Sequence, residues 1–594
     1  MVVDDLVIRV GGESGEGIVT LGEVLARIAA RAGFEIYTFR TYPAEIRGGH
    51  VQYQMQVSRR RLTSQGDALD VLVALNQEAY DRHHNELQPD GMVIYDSGVQ
   101  LAEGAGHTAY PLPLSDLARE TRFSRGRNII AAGVAARLLG LNYEHCRQVV
   151  ERQMGRRAEL LEQNLQALET GYRYAKEQFP SDERIILSRV EEAERKERLV
   201  LSGNQALALG ALAAGCRFFA GYPITPATGI MEFLAGELPK VGGTLVQAED
   251  EMAALAMVIG ASFSGQRAMT ATSGPGLSLM IELLGLASMT EMPLVIVDVQ
   301  RAGPSTGMPT KTAQGDLFLA LLGGHDEAPR FVLAPTSVED CFYQMVHAFN
   351  LAERYQMPAI VLSDQSLSMR LETVPPFRSD DLPQPERLLP LLNAEGRIED
   401  YLRYQVTENG VSPMALPGMP GGQHTAEGLE HLPSGAPSYD PRNHEEMMRK
   451  RFRKLSTAQQ ASQQSHASCP PNSLSPPLLV SDVAHCGASQ PEIAVLCWGS
   501  TAGAVWEAVD QAQREGISVG ALAVKLLSPL PEATIQEFVA SARTVLAPEA
   551  NYSGQLAHLL RATLGLESQP ITRYGGVPFL AGEILAEIRG ASDV

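Results

Sequence analysis

The pattern that most constrains the fold is a short apolar strand that runs into a glycine-rich or hydroxyl-rich loop and then into a helix. It first occurs where a strand at residues 6–10 precedes the loop Gly11-Gly12-Glu13-Ser14-Gly15-Glu16-Gly17 and a helix expected over residues 18–32. Strand, glycine loop and helix in this order begin a doubly wound α/β unit. Further strands are predicted at residues 51–57, 71–74, 92–95, 268–271, 294–298, 330–334, 359–362, 492–498, 519–524 and 543–547. The sequence therefore predicts an α/β protein with three such units.

Changes in local amino-acid composition and periodicity divide the 594 residues into four parts. The expected parts are α/β domains at residues 1–180, 195–380 and 486–594 and an irregular linker or insert at residues 381–485. Residues 181–200 are highly charged and are predicted to form a helical linker. The polar stretch at residues 456–477 shows little periodicity, so we expect it to be mobile or to act as a tether.

Charge and cysteine content exclude several classes of protein. The net charge is −20, from 49 basic and 69 acidic residues spread along the chain, which argues against nucleic-acid and anionic-membrane binding. The six cysteines form no Cys-x-x-Cys pair, so we expect no disulfide framework and no metal site or cluster held by this chain alone. No uncharged apolar run reaches about eighteen residues, and the first residues are acidic. We expect a soluble cytoplasmic protein.

The first candidate site is the loop Tyr222-Pro223-Ile224-Thr225-Pro226, which follows a short apolar stretch. Each proline fixes its own φ and biases the residue before it towards extended geometry, so the hydroxyl of Thr225 lies on a stiff loop. Ligands of open α/β sheets bind at the carboxyl ends of strands. A purely structural proline turn is the alternative.

The second candidate is the acidic run Glu249-Asp250-Glu251 at the start of an apolar helix. A glutamate packed among Met252, Ala254 and Leu255 would lose its hydration, which is typical of carboxyl groups that share protons. The alternative is that the three acids only complement the positive end of the helix dipole.

Two more loops follow predicted strands. Thr272-Ser273-Gly274-Pro275-Gly276 is a glycine turn with hydroxyls, which suits the close approach of a flat ring or a second chain but is also common as a structural turn. The other loop runs from Arg301 to Thr310 through small and hydroxyl residues. A guanidinium group binds a carboxylate with two parallel hydrogen bonds, so this loop indicates a carboxylate site unless Arg301 is simply a surface charge.

Together these loops resemble the signatures of 2-oxoacid:ferredoxin oxidoreductases, which use thiamine diphosphate. The resemblance covers a γ-type unit at residues 5–180, an α pyrimidine-type unit at 195–375 and a transketolase C-terminal-like unit at 490–590. The first glycine loop, followed by Glu45-Ile46-Arg47-Gly48-Gly49-His50, is similar to the γ unit, which helps to bind coenzyme A in this family. A fused γ–α layout is similar to that of two-subunit bacterial enzymes of the reductive citric-acid cycle.

The resemblance implies a role for each candidate residue. The family's cofactor glutamate stands nine positions before a Gly-Ala pair, which selects Glu251, nine before Gly260, with Glu249 as the second choice. The expected thiamine diphosphate contacts are completed by Tyr222, Pro223, Ile224, Thr272, Ser273 and Gly274. The expected 2-oxoacid contacts are Thr225, Arg301 and Thr310. The expected coenzyme A contacts are Gly12, Gly15, Gly17 and Arg47.

The insert adds a resemblance to the 2-oxoglutarate enzymes. The segments that carry it are Tyr401-Leu-Arg-Tyr404, Gly410-Val-Ser-Pro413, Pro417-Gly418, Gly428-Leu-Glu-His431 and Lys450-Arg-Phe-Arg-Lys454. The sequence departs from the family at Asp326, where a glycine is usual, and at Met414, where a basic residue is common. The expected reaction interconverts 2-oxoglutarate, coenzyme A and oxidised ferredoxin with succinyl-CoA, carbon dioxide and reduced ferredoxin.

Two family motifs have no counterpart in this chain: the Gly-Asp-Gly magnesium–diphosphate motif and the cluster cysteines. The resemblance therefore implies a separate β subunit that carries Mg²⁺ and a [4Fe-4S] cluster, in an assembly of two γ–α and two β chains, with ferredoxin as electron partner. Pyruvate or a branched-chain 2-oxoacid remains an alternative substrate. A transketolase-like or lipoamide-linked oxoacid dehydrogenase and a non-enzymatic nucleotide- or acyl-CoA-binding protein are the other two functions left open.

Overall fold

The computed structural model describes residues 2–43, 48–102, 106–154, 158–179, 185–191, 194–378, 382, 385–467 and 481–593. The chain forms two compact units. The first unit comprises Met1–Ser202, Met369–Pro376 and Leu580–Gly582, and the second comprises Gly203–Ser368, Phe377–Phe579 and Glu583–Val594. Among the described residues, no helix combines the length and the apolar content that a bilayer crossing requires.

Helices and strands alternate along the first third of the chain. In order they are β1 (Val2–Val3), β2 (Asp5–Glu13), α1 (Ile18–Arg31), β3 (Glu35–Thr41), β4 (His50–Ser58), β5 (Leu69–Ala74), α2 (Gln77–His83), β6 (Leu87–Asp96), β7 (Thr108–Leu112), α3 (Leu114–Glu120), α4 (Arg127–Leu138), α5 (Tyr143–Met154), α6 (Ala158–Gln178), β8 (Ile186–Leu187) and β9 (Leu199–Ser202).

The same alternation continues through the middle of the chain. The elements there are α7 (Gly203–Ala213), β10 (Phe218–Gly221), α8 (Thr228–Glu237), β11 (Thr244–Gln247), α9 (Glu251–Phe263), β12 (Ala268–Thr272), α10 (Gly274–Met289), β13 (Leu294–Gln300), α11 (Leu317–Leu322), β14 (Phe331–Leu333), α12 (Val338–Tyr355), β15 (Pro358–Asp364), α13 (Gln365–Met369) and β16 (Leu371–Val374). After the insert come α14 (Pro441–Ala467), β17 (Val483–Gly487), β18 (Ile493–Cys497), α15 (Ala502–Arg514), β19 (Val519–Val524), β20 (Leu526–Ser528), α16 (Glu532–Val539), β21 (Thr544–Glu549), α17 (Gln555–Leu564), β22 (Gln569–Thr572) and α18 (Ala581–Ser592).

The first unit is built on an eight-stranded mixed sheet with the strand order β7-β6-β5-β2-β4-β3-β16-β9. Helix α1 packs against β4 and α4, and α4 packs against α6. One large apolar cluster lies under these helices, and a smaller cluster around Tyr80 of α2 covers the other face. Strands such as β2 and β5 are apolar along most of their length because helices pack on both faces of the sheet and bury both sides of each strand.

The second unit holds two sheets. A seven-stranded sheet has the order β11-β10-β12-β13-β15-β14-β20, and every pair in it is parallel except β14 with β20. A five-stranded sheet has the order β17-β19-β18-β21-β22. Their apolar cores are continuous, since Leu255 and Leu284 belong to the same buried cluster as Trp498 and Leu556. The predicted α/β fold is confirmed, while the exact domain boundaries stay predictions.

Two of the predicted connections differ from the structure. Residues 456–477 were expected to be mobile or to act as a tether, yet residues 456–467 form the last turns of the 27-residue helix α14, and residues 468–477 lie outside the described residues. Alanine and glutamine are good helix formers, and the helix is anchored upstream by buried lysines, so weak periodicity did not prevent helix formation. The described part of residues 181–200 contains no α-helix but the short strands β8 and the start of β9. Pairing of these strands with β1 and β16 outweighs the local charge pattern.

The insert is anchored to the second unit by a buried ion cluster. Glu291 follows α10 and receives hydrogen bonds from Lys450, at 2.5 Å, and from Lys454 of α14. Burial alone would raise the pKa of Glu291, but the two ammonium groups lower it far below its usual range. Arg403 donates to the carbonyl oxygens of Thr290 and Glu291 from within the insert. Charge pairing thus fixes a segment that has few helices or strands of its own.

Candidate active site

The four candidate segments of the second unit leave four adjacent parallel strands at the same edge of the sheet. The strands lie side by side in the order β11, β10, β12 and β13, with Gly221 opposite Gln247 and Thr272 opposite Asp298. The carboxyl ends of parallel strands therefore bring together loops that are up to about eighty residues apart in sequence. This edge is the candidate active site.

The proline loop is fixed at the carboxyl end of β10 from two sides. Asn204 of α7 donates its side-chain amide to the carbonyl oxygen of Pro226 at 2.9 Å, and Arg301 donates Nη1 to the carbonyl oxygen of Thr225 at 2.7 Å. Thr225 is partly buried, whereas Tyr222 is exposed. Asn204 was missed in the sequence because nothing around it marks it as more than a helix residue.

The three adjacent acids have three different environments. Asp250 caps helix α9 and accepts a hydrogen bond from the backbone nitrogen of Ala253 at 2.7 Å. Glu249 is exposed. Glu251, the first residue of the helix, is only 6% exposed. Burial thus distinguishes Glu251 from Glu249, which the sequence ranked only through a spacing.

The glycine turn after β12 is shaped around the Glu251 carboxylate. A Cβ atom on Gly276 would lie 2.0 Å from Oγ1 of Thr272 and 2.6 Å from Oε1 of Glu251, so only glycine leaves room for both groups. Thr272 and Ser273 are completely buried, and Oγ of Ser273 has no hydrogen-bond partner among the described residues. The turn thus combines a buried carboxylate near the Thr272 hydroxyl with the unpartnered hydroxyl of the next residue, which suits a ring that carries both donors and acceptors.

Arg301 begins a loop that folds back on itself. The backbone nitrogen of Ala302 donates to the carbonyl oxygen of Lys311 at 3.0 Å, and that of Met308 donates to the carbonyl oxygen of Ala302 at 2.8 Å. Thr310, one residue before Lys311, is therefore carried back towards Arg301 and is 5% exposed. The structure brings Thr225, Glu251 and Arg301 together, with Thr310 on the same closed loop.

A cavity of about 700 Å³ opens beside Arg301. It is lined by Gly274, Pro275, Ser278, residues 301–305, Ala313, Gly315, Asp316, residues 550–553, Gln555 and Tyr574. Gln314 joins its two walls, since its backbone nitrogen donates to the carbonyl oxygen of Ala550 and its side chain donates to that of Trp498, both at 2.8 Å. The transketolase C-terminal-like segment therefore forms one wall of the site, which the sequence did not predict.

Two carboxyl groups that the sequence did not mark as candidates lie close enough to Arg301 for their charges to act on it. Asp298 stands near the end of β13 and is completely buried, and Asp316 follows the arginine loop. Burial and the neighbouring Asp316 raise the pKa of Asp298 well above its usual range, and burial raises the pKa of Asp316 to about 6. Burial also lowers the pKa of Arg301, against the opposing charges of Asp316, Asp298 and Glu251. An aspartate inside an otherwise apolar strand was the available signal for Asp298.

The candidate coenzyme A loop lies in the first unit and runs from Gly12, near the end of β2, to Gly17, just before α1. Gly17 caps α1 with a φ of +79°, and a Cβ there would lie 2.5 Å from the side chain of Asn128. A Cβ on Gly12 would lie 2.4 Å from Ile18, and Gly15 has a φ of +100°. Packing and backbone geometry thus account for all three glycines, so a role in binding phosphate stays a prediction. Arg47 lies outside the described residues.

Comparison with known protein families gives three successive matches. Residues 7–174 match the family described as pyruvate ferredoxin/flavodoxin oxidoreductase. Residues 209–450 match the thiamine diphosphate-binding family of pyruvate flavodoxin/ferredoxin oxidoreductases. Residues 491–584 match core domain II of pyruvate:ferredoxin oxidoreductase.

Individual relatives match along almost the whole chain. The 2-oxoglutarate oxidoreductase subunit KorA of Mycobacterium tuberculosis is 34% identical, with 99% of this chain and 92% of the relative covered. The α subunit of 2-oxoacid:ferredoxin oxidoreductase 2 of Aeropyrum pernix is 30% identical, covering 98% and 97%. The solved structure of 2-oxoglutarate:ferredoxin oxidoreductase from Magnetococcus marinus, with 2-oxoglutarate, coenzyme A and succinyl-CoA bound, is 42% identical with a TM-score of 0.88, covering 99% of both chains. This chain therefore belongs to the 2-oxoacid:ferredoxin oxidoreductase family.

Proposed function

We propose that this chain is the γ–α subunit of a 2-oxoglutarate:ferredoxin oxidoreductase. It would interconvert 2-oxoglutarate, coenzyme A and oxidised ferredoxin with succinyl-CoA, carbon dioxide and reduced ferredoxin. The observation that carries the proposal is the meeting of the buried Glu251 carboxylate, set over Gly276, with the Arg301 guanidinium at one edge of the sheet. The substrate assignment is supported by the solved relative that binds 2-oxoglutarate and succinyl-CoA.

The residues on this edge fit a thiamine ring and a 2-oxoacid. When bound, thiamine diphosphate would supply a nucleophilic carbon and an electron sink for the decarboxylation of a 2-oxoacid. Glu251 would hold a proton against the pyrimidine ring, and the buried hydroxyls of Thr272 and Ser273 would line that ring. Arg301 would bind the substrate carboxylate through its planar fork. The hydroxyls of Thr225 and Thr310 would orient the substrate.

A second subunit would complete the site. Helices α9 and α10 are apolar, yet they expose Met252 (46%), Met257 (41%) and Leu279 (50%) to solvent. Tyr222 and Met308 on the adjoining loops are also more than 40% exposed. Large apolar side chains left exposed on the helices and loops that border a site are typical of a surface that a partner covers. We assign this surface to the β subunit that would carry Mg²⁺, the diphosphate site and the [4Fe-4S] cluster, for which this sequence has no motifs.

The first unit would serve coenzyme A. The backbone nitrogens at the start of α1, behind the loop of Gly12, Gly15 and Gly17, are suited to phosphate groups, and Arg47 would add positive charge. Such a site would deliver the thiol that takes up the succinyl group.

Co-expression of this chain with its β subunit tests the proposal. The purified complex should reduce ferredoxin with 2-oxoglutarate only when coenzyme A is present, and more efficiently than with pyruvate or 2-oxoisovalerate. Glu251→Gln should lower turnover about 10²- to 10⁴-fold, which is the range of a positioned proton-transfer group. Glu537→Gln, an exposed change on α16, is the matched control.

Two results would contradict the assignment. Equal activity with the three oxoacids would remove the 2-oxoglutarate specificity. A larger loss in Glu249→Gln than in Glu251→Gln would move the cofactor role to the exposed acid.

A further inference from the structure

A pair of carboxyl groups behind the arginine has no explanation in the residues assigned so far. Both oxygens of Asp298, and Oδ2 of Asp316, are buried without a hydrogen-bond partner among the described residues. The two carboxyl groups are neighbours: Asp316 is hydrogen-bonded through its backbone nitrogen to Gln300, which lies two residues after Asp298 on the same face of β13, and the charge of Asp316 adds to burial in raising the pKa of Asp298. Ionised carboxylates can only accept hydrogen bonds, so a contact between two of them requires a proton on one. An unsatisfied buried charge is otherwise costly.

Of the two carboxyl groups, it is Asp316 that lines the cavity in the described part of the chain. Asp298 is completely buried, whereas Asp316 lines the same cavity as Arg301. The backbone nitrogen of Asp316 donates to the side-chain oxygen of Gln300 at 3.0 Å, and a Cβ on Gly274 would lie 2.7 Å from Oδ2 of Asp316. Asp316 is therefore fixed in place with one face towards the solvent-accessible cavity.

We propose that Asp298 and Asp316 share one proton, and that this pair couples binding of the 2-oxoacid carboxylate at Arg301 to uptake of a proton from solvent. With one proton on the pair, the pair and Arg301 together carry no net charge. With none, they carry one negative charge and oppose an incoming carboxylate. Tighter substrate binding to the protonated pair requires, by linkage, that substrate binding raises the pair's proton occupancy. The inference rests on the proposed function, because it takes Arg301 as the carboxylate site.

Other titratable groups lie on the elements that adjoin the pair or the cavity. The titratable groups on the surrounding elements are Glu251 at the start of α9, Arg301 and Lys311 on the loop after β13, Asp364 at the end of β15, and Tyr552 and Tyr574 across the cavity. Asp364 already accepts hydrogen bonds from Thr312 and from the backbone nitrogen of Leu367. Burial lowers the pKa of Arg301 and the charge of Glu251 opposes this, but the Glu251 carboxylate lies next to Gly276 and is not part of the pair.

The assembled two-subunit enzyme tests the coupling through the pH dependence of KM and kcat. In the wild type, KM for 2-oxoglutarate should rise up to about tenfold per pH unit above the pH at which the pair loses its shared proton, while kcat changes much less. Asp316→Asn keeps the shape and donates permanently to Asp298, so KM should lose this pH dependence. Glu537→Gln should keep the wild-type profile. A structural role alone would lower stability or kcat without flattening KM.

Infrared difference spectroscopy on the full chain tests the shared proton without using activity. The band of a protonated carboxylic acid should persist near neutral pH in the wild type and disappear in Asp298→Asn and Asp316→Asn. A complex that turns over but keeps its KM profile in Asp316→Asn would overturn the inference and leave the proposed function intact. A complex inactive with all three oxoacids would overturn the function, while the band would still decide whether the proton is shared. Absence of the band would overturn the inference.

Discussion

The substitution Gly276→Ala should displace the Glu251 carboxylate without changing its chemical identity, and so tests whether its position matters for turnover. The added Cβ would lie 2.6 Å from Oε1 of Glu251, whereas ordinary contacts begin at 3.4 Å, so the carboxylate must move by about 0.8 Å. Thr272 must move further, since its Oγ1 would be 2.0 Å away. Both side chains are buried and cannot turn outwards. A displacement of about 1 Å in a catalytic group costs on the order of 100-fold in rate, and the overpacking costs about 1–3 kcal/mol of stability.

The assay for Gly276→Ala is turnover of the assembled enzyme, with the midpoint of urea unfolding measured in parallel. Gly285→Ala is the matched control, because it lies on the same helix α10 and its added Cβ would meet nothing within 4 Å. It should keep full turnover and gain about 0.5–1 kcal/mol from its better helix propensity. If Gly276→Ala retained turnover within a factor of two while the chain folded normally, the close contact with Glu251 would have no catalytic meaning.

Three further outcomes follow from the same structure. Arg301→Lys should lower kcat/KM for the 2-oxoacid about 10- to 100-fold in steady-state assays, because an ammonium group cannot form the bidentate pair; an unchanged value would remove Arg301 from the site. Lys454→Met should lower the free energy of unfolding by about 3 kcal/mol, because it removes one of the two ammonium groups that neutralise the buried Glu291 carboxylate. The surface change Lys240→Met is the control and should lower it by less than about 0.5 kcal/mol. Because the pKa of Asp316 is raised, the folded chain keeps a proton at a pH where the unfolded chain has lost it. The free energy of unfolding of the wild type should therefore fall, relative to that of Asp316→Asn, by on the order of 2 kcal/mol as the pH rises from about 4 to about 6, and then stay level. Parallel pH curves for the two proteins in urea unfolding would contradict this.

Most of the α/β architecture was accessible from local pattern. The predicted strand at residues 294–298 is part of β13, and the apolar stretch before Tyr222 is β10, because buried parallel strands read as short apolar runs. The failures occurred where pairing with distant segments decided the local structure. Residues 199–202 became a strand by pairing with β16, which lies about 170 residues further along the chain.

The site was predicted in part for the same reason. Loops that follow strands are visible in sequence, so Thr225, Glu251, Arg301 and Thr310 could be named as candidates, and their roles stay predictions. Asn204, Gln314 and Asp316 were missed because their functions depend on partners far along the chain. Gln314 gains its role from Trp498 and Ala550, more than 180 residues away.

The sequence by itself determined the alternation of strands and helices, the family, and the residue types that can bind a carboxylate or hydrogen-bond a ring. These features are local, because periodicity, proline and glycine act within a few residues. Tertiary structure alone decided which of three adjacent acids is buried, which glycine makes room for it, and that two aspartates meet behind Arg301. Those facts depend on desolvation and on contacts between neighbouring strands, and both exist only once the chain has folded.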